Sequence, residues 1–375
     1  MRIAGRPGLQ ASRGSVPELQ IRTPGFPLRS GGDGSSTVIL KRSDKTLWAW
    51  GDNRNLQCCP LPSESVPTPQ MIPLDIRLIQ VVGGKQHLLA IDSEYKVYVW
   101  GRNSEGQLGC NHQNPILNPT QIRSDLKFSQ LAASRHHSLG LDRDGRVWGW
   151  GENAFGQLGV GDRNFRTVPT ATIGLPKVKQ ISTGRTHSLC LDENNFVWSW
   201  GHNRSGQLGI PSLEESQVPL KIGKLSGVAQ ICCGAFHSLA LKKDGSLYSW
   251  GNNDYGQLGE GTRSSRLIPT FVHCPYAFIQ VTAGMHSMGL RSDGVAFGWG
   301  SNCFGQLGLG DTIDRLTPVA LTGPSFENLT TGFSHTVGMT TDGIIYSWGL
   351  NHLGQLGTGT PENQLEPIAL SGIFL

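Results

Sequence analysis

The sequence predicts an all-β ring of seven blades, a seven-bladed β-propeller, and three observations predict it. Trp-Gly dipeptides recur at Trp50, Trp100, Trp150, Trp200, Trp250, Trp299 and Trp348, with spacings of 50, 50, 50, 50, 49 and 49 residues. Three positions after each Trp stands an Asn, at Asn53, Asn103, Asn153, Asn203, Asn253, Asn302 and Asn351. Six units then read Gly-Gln-Leu-Gly, at 106–109, 156–159, 206–209, 256–259, 305–308 and 354–357, while the first reads Leu56-Gln57-Cys58-Cys59. A fixed period of this length marks a repeat architecture in which each unit buries its faces against its neighbours.

Within one unit the local signals are those of antiparallel strands. Residues 137–150 read His-Ser-Leu-Gly-Leu-Asp-Arg-Asp-Gly-Arg-Val-Trp-Gly-Trp, two apolar runs around Asp144-Gly145, a dipeptide suited to the positive φ angles of a tight hairpin. Asp244-Gly245, Asp293-Gly294 and Asp342-Gly343 repeat the device. Segments such as Thr167–Ile173 and Val178–Ser182 supply a second pair of strands, so each unit has about four, the content of a propeller blade.

Residues 31–375 are expected to form one domain, seven units of about 49 residues each. The chain enters its first unit at Ser36–Leu40, and its last segment, Leu370-Ser371-Gly372-Ile373, parallels Leu225-Ser226-Gly227-Val228. The C-terminal strand is therefore expected to pair with the N-terminal strand in one blade, closing the ring and removing exposed edges. On that expectation, removing the last ten residues destabilises the whole ring.

Residues 1–30 stand apart. They hold Arg2, Arg6, Arg13, Arg22 and Arg29 against Glu18 alone, and prolines at 7, 17 and 24 would interrupt an amphipathic helix. Three readings stay open for this Arg-containing segment: a flexible tail, an organelle-targeting segment, or a basic arm that binds a partner. Without it the remaining chain carries 27 basic and 27 acidic side chains, that is 32 − 5 and 28 − 1. A neutral body lacks the overall excess of positive charge that drives phosphate-backbone binding, so nucleic acid or a nucleosome is expected as a partner only through residues 1–30.

Composition agrees with many short strands and turns, with 50 Gly and 21 Pro in 375 residues. The eight cysteines, at 58, 59, 110, 190, 232, 233, 274 and 303, form no C-x-x-C pair and read as small apolar residues in a reducing compartment. No apolar run reaches the length of a membrane span, and no signal-peptide core follows Met1. A soluble, monomeric intracellular protein of the cytoplasm or nucleus is expected, with no membrane partner.

Thirteen residues before each Trp stands His87, His137, His187, His237, His286 or His335, with Thr37 in the first unit. Six histidines on six blades cannot converge on one metal, so a hydrogen bond to blade backbone is the expected role. Gly-Gln-Leu-Gly lacks the Lys and Ser/Thr of a phosphate loop, so its glycines are expected to allow a turn and its Leu to fill the core. No nucleophile–base pair, H-E-x-x-H or G-x-S-x-G occurs. No metal, no cofactor and no hydrolytic centre are expected.

Trp-Gly-x-Asn-x-x-Gly-Gln-Leu-Gly together with Gly-x-x-His-Ser-Leu-x-Leu, as at Gly184–Leu191 and Gly234–Leu241, resembles the repeat of the RCC1 (regulator of chromosome condensation) family over about nine-tenths of the chain. The resemblance implies three roles: guanine-nucleotide exchange on the small GTPase Ran, nucleosome binding, or a protein-interaction platform. The plant ultraviolet-B receptors of this family carry a Gly-Trp-Arg-His-Thr signature. The matching positions here read Gly184-Arg185-Thr186-His187-Ser188, Gly234-Ala235-Phe236-His237-Ser238 and Gly332-Phe333-Ser334-His335-Thr336, which excludes that role.

In Ran exchange factors the loop residue before the repeat His faces the GTPase, and acidic and histidine side chains act there. The equivalents here are Gln86, His136, Thr186, Phe236, Met285 and Ser334; none is acidic, and His136 alone resembles such a residue. The near-constant period also leaves no room for the hairpin insertion those factors use as a wedge. Two irregularities mark the same loops: a second histidine at His136, and a residue missing before His286. With Arg135, Arg185 and Phe333 these residues make a mixed aromatic, cationic and soft surface, the composition of protein-binding hot spots. The expected function is a protein-interaction platform in small-GTPase regulation, with exchange on a Ran-like small GTPase and a chromatin-associated adaptor as alternatives.

Overall fold

The computed structural model describes residues 36–40, 46–59, 62–122, 125–223 and 225–374; the Arg-containing segment 1–30 lies outside them. The described residues form 27 strands in seven antiparallel sheets, the seven blades the period predicts. In the third blade Phe128–Ala133 lies innermost, followed by His137–Asp142, Val147–Gly151 and Arg166–Ala171 at the rim.

Burial follows position in the blade. Every residue of His137–Asp142 is buried, because neighbouring blades cover both faces of this strand. The rim strands are half exposed and carry Pro119, Pro169, Pro219, Pro269, Pro318 and Pro367, which remove donors from edges that would otherwise pair with other chains. The hairpin at Asp144-Gly145 is a three-residue loop in which the glycine alone takes positive φ, at 83°, while the Asp142 carboxylate accepts the N–H groups of Asp144 and Arg146.

The repeated motif is the chemistry of one junction, used with local variation around the ring: Thr37 and Leu88 replace the His and Ser between the first and second blades, and Trp348 Nε1 lacks the bond its counterparts make. Between the third and fourth blades the main-chain carbonyl of Gln157 accepts both Trp200 Nε1–H at 2.8 Å and Ser188 Oγ–H at 2.8 Å. The same Ser188 oxygen lies 3.2 Å from His137 Nε2. Since the Ser proton is spent on Gln157, the imidazole donates from Nε2, and the tautomer is settled by its neighbour. The equivalent pairs are His87–Ser138, His187–Ser238, His237–Ser287 and His286–Thr336, at 2.7–3.1 Å. The histidines thus bond to a hydroxyl of the next blade rather than to backbone as expected. Gly-x-x-His follows from packing: a Cβ on Gly184 would stand 2.1 Å from the His187 ring.

Ring closure departs from the sequence expectation. Gln364–Phe374 pairs with Ile344–Gly349 as the rim strand of the last blade, and the first blade has three strands among the described residues, Ser36–Leu40, Leu47–Asp52 and Ser65–Ile72. Ala369 pairs Tyr346 as Lys221 pairs Trp198. Val228, seven places after Lys221, begins an innermost strand, and the equivalent position lies beyond Phe374, so the matched segments were three residues out of register. The ring closes through the junction chemistry instead. Thr37 Oγ1 donates to Gln355 O at 2.8 Å and lies 3.0 Å from His335 Nε2, and Trp50 Nε1 donates to Gln355 O at 2.9 Å. None of these hydrogen bonds uses residues 365–374, which contribute to closure through Leu370, buried in the apolar cluster that joins Val337 and Ile345 of the last blade to Leu47 and Trp50 of the first. Deleting 365–375 is therefore expected to leave a compact ring with a lowered melting temperature; loss of any cooperative transition in circular dichroism would show that the rim strand holds the ring shut.

The thiols divide. Cys58, Cys190, Cys232 and Cys233 are buried as small apolar residues, whereas Cys59, Cys110 and Cys274 are half-buried and Cys303 is exposed, outside the expected role. Among the described residues no helix is long and apolar enough to cross a membrane.

Candidate functional site

Six short loops, each joining an innermost strand to the second strand of its blade, converge on one face of the ring: 84–86, 134–136, 184–186, 234–236, 284–285 and 332–334. They surround the mouth of a channel lined by innermost-strand side chains, among them Ser182, Thr183, Cys232, Cys233, Thr282 and Thr331. Main-chain bonds tie the loops blade to blade. Lys85 N–H donates to Ser134 O (2.9 Å), Arg185 N–H to Ala235 O (3.1 Å), Ala235 N–H to Gly284 O (2.9 Å) and Met285 N–H to Phe333 O (2.9 Å). A surface held this way is pre-organised, which lowers the ordering cost of binding.

The residue after each Trp-Gly lies just outside these loops. Arg102, Glu152, His202, Asn252 and Leu350 donate their N–H groups to the carbonyls of Gln86, His136, Thr186, Phe236 and Ser334, at 2.8–3.0 Å. The second register of variable side chains on this face, Arg102 and Glu152 above all, was missed, as was Lys85. Its signal was available, because these residues vary at one fixed place in an otherwise constant motif.

The nine residues singled out from the sequence do not stand alike. The Arg185 guanidinium lies 5.3 Å from the Phe236 ring centroid and 6.0 Å from that of Phe333, so it bridges loops of the fourth, fifth and seventh blades at the channel mouth. Arg135, His136, Thr186 and Met285 are half-buried on the same face. Gln86 and Ser334 are buried. Gln86 is occupied internally, donating to Asp52 Oδ2 at 3.3 Å and accepting from Arg102 Nη1 at 3.2 Å, while Arg54 pairs with Asp52 at 2.7 Å.

Charge is unevenly spread over the mouth. Burial, then the positive charges of Arg102, Arg135, Lys85 and Arg185, push the His136 imidazole down to about 4, so it is neutral at physiological pH. His136 Nδ1 and Arg135 Nε are buried with no hydrogen-bond partner. Burial, followed by the charge of Glu105, raises the Glu152 carboxyl above its ordinary value. The second to fourth blades thus present a cationic arc, and the fifth to seventh an apolar one of Phe236, Met285 and Phe333. Among the described residues no three His, Cys, Asp or Glu side chains group closely enough to hold a metal ion.

Comparison with known proteins agrees with this architecture. The profile of the RCC1-like domain matches residues 46–374. No curated protein matches the chain in sequence. Prp20p from Saccharomyces cerevisiae, described with its binding to Gsp1p and histones, is 26% identical with a TM-score of 0.78, over 87% of this chain and 85% of that one. Human WBSCR16 is 24% identical with a TM-score of 0.79, over 87% of this chain and 94% of that one, a likeness of fold. Yeast RCC1 (Prp20) bound to Kap60 gives a TM-score of 0.81 at 24% identity, over 98% of this chain and 91% of that one, again a likeness of fold.

Proposed function

The chain belongs to the RCC1-like domain family, and from that premise we propose that its ring is a rigid platform binding another protein through the loop face, in small-GTPase regulation. One observation carries this reading. Arg185 lies over two aromatic rings from different blades, beside the half-buried Met285, Arg135 and His136, the residue types that dominate protein-binding hot spots. A platform of this kind works by holding its contacts rigid, so that little conformational freedom is lost on association.

Guanine-nucleotide exchange on a Ran-like GTPase is the second reading, and the likeness to Prp20p, described with its binding to Gsp1p, favours it. An exchange factor must bind the nucleotide-free GTPase best, whereas a scaffold need only bind. A chromatin-adaptor role, for which the histones named with Prp20p are the parallel, would act through residues 1–30, outside the described structure. It would show steep salt dependence that deletion of that segment removes.

The test is binding of purified Ran and a panel of other small GTPases, nucleotide-free and loaded, together with release of a fluorescent guanine nucleotide. The expected result is binding to one GTPase that Phe236→Ala weakens by about tenfold or more, the loss of one hot-spot side chain. Accelerated release that His136→Ala and Phe236→Ala abolish selects the exchange reading; no binding across the panel overturns the small-GTPase role.

A further inference from the structure

We propose that the cationic arc of Lys85, Arg102, Arg135 and Arg185 docks a carboxylate-rich segment of the partner protein, with the Arg135 guanidinium as its principal ionic contact and Phe236, Met285 and Phe333 as the adjoining apolar seat. The proposal rests on the loop face being the docking surface, and adds the chemistry of what docks there.

Three observations carry it. First, the charges are segregated: residues 31–375 are neutral in sum, yet four basic side chains from the second to fourth blades surround His136. Second, the Arg135 guanidinium makes no hydrogen bond or ion pair among the described residues, and its Nε is buried without a partner. A half-buried cation with an unmet donor is costly in isolation, and an incoming carboxylate, which can accept two parallel N–H bonds from a guanidinium, is its natural complement. Third, the acids nearest Arg135 do not neutralise it. Glu105 leans on Arg102 at 3.8 Å instead, and Glu152, although close enough to feel the charge of Arg135, forms no ion pair with it among the described residues.

The shape of the arc selects a protein segment over a nucleic acid. A phosphate backbone follows a continuous basic track, whereas here basic side chains cover one side of the mouth and aromatic and thioether side chains the other. A short acidic segment interrupted by apolar residues matches both halves. Positive potential at a concave mouth also speeds encounter with such a partner, and salt screens it.

The experiment titrates the full chain into a fluorescein-labelled peptide of glutamates interrupted by phenylalanine and leucine, at low and high salt. A matched peptide with glutamine for glutamate and a single-stranded oligothymidylate of similar charge are run beside it. Saturable binding of the glutamate peptide is expected, weakened about tenfold or more by Arg135→Glu or Arg135→Gln and lost at high salt. Lys243→Glu, at the opposite end of its blade, is expected to leave binding unchanged, and melting curves check that each variant folds. Equal binding of the glutamine peptide, no saturable binding at low salt, or tighter binding of the oligonucleotide through Arg135 overturns the proposal. If Phe236→Ala abolishes GTPase binding while the glutamate peptide does not bind, the docking face stands and its acidic ligand falls; if neither binds, both fall.

Discussion

Acidification from about pH 7.5 to pH 5 is expected to remove on the order of 10 kcal/mol of folding free energy, with the junction histidines as the cause. His87, His137, His187, His237 and His286 are held down to about 3, and His335 to about 4, chiefly by burial. An unfolded histidine titrates near 6.5, so below that pH the unfolded chain takes up protons that the folded ring refuses. The folded pKa being the lower one, the stabilisation is complete above about 6.5 and is lost as pH falls toward the folded value. At pH 5 the loss is about 2 kcal/mol per histidine, and six such sites approach the whole stability of an ordinary domain. The added proton would sit on Nδ1, which in His87, His187 and His286 is buried with no hydrogen-bond partner, so the charged ring would be desolvated without compensation there.

Urea midpoints followed by circular dichroism in steps of pH are the measurement. A steep fall between about pH 6.5 and 4 is expected, shallower in His187→Gln, which removes one of the six titrating groups. A midpoint that stays flat to pH 5 would mean that the buried imidazoles do not govern stability. Asp293, held down to about 2 by its hydrogen bond from Arg291, titrates below this window and does not confuse it.

The second large effect is at the junction tryptophans. Trp200→Ala is expected to cost about 4 kcal/mol, as for other buried aromatic deletions, because the indole is wholly buried among Leu139, Ile181 and Cys190. Trp200→Phe separates the hydrogen bond from the packing. It is expected to cost about 1 kcal/mol more than Trp348→Phe, because Trp200 Nε1–H bonds to Gln157 O at 2.8 Å whereas Trp348 Nε1 is buried with no partner. Equal losses in the two phenylalanine variants would show that the Gln carbonyl contributes nothing measurable.

The candidate site was legible in part, and the reason is specific. In a repeat protein the constant positions report the junction, so deviations within a register stand out, and Arg135, His136, Arg185, Phe236, Met285 and Phe333 were singled out that way; the structure puts all six on one face. Register does not say which way a side chain turns. Gln86 and Ser334 occupy the right loops yet are buried, the former bound between Asp52 and Arg102. Lys85 and Arg102 were passed over because they stand one place before and just outside the loop position being compared, although both add charge at His136.

What the sequence determined by itself was the blade count, the strand content and the residues of the junction, because each depends on short segments whose chemistry repeats six or seven times. Tertiary structure alone decided how the ring closes and what the mouth presents. Resemblance between two four-residue segments could not set the register of the last strand, whereas the pairing of Ala369 with Tyr346 does. No spacing along the chain brings Arg185 over Phe333, 148 residues away; curvature does, because a closed ring carries loops from distant blades to one channel mouth.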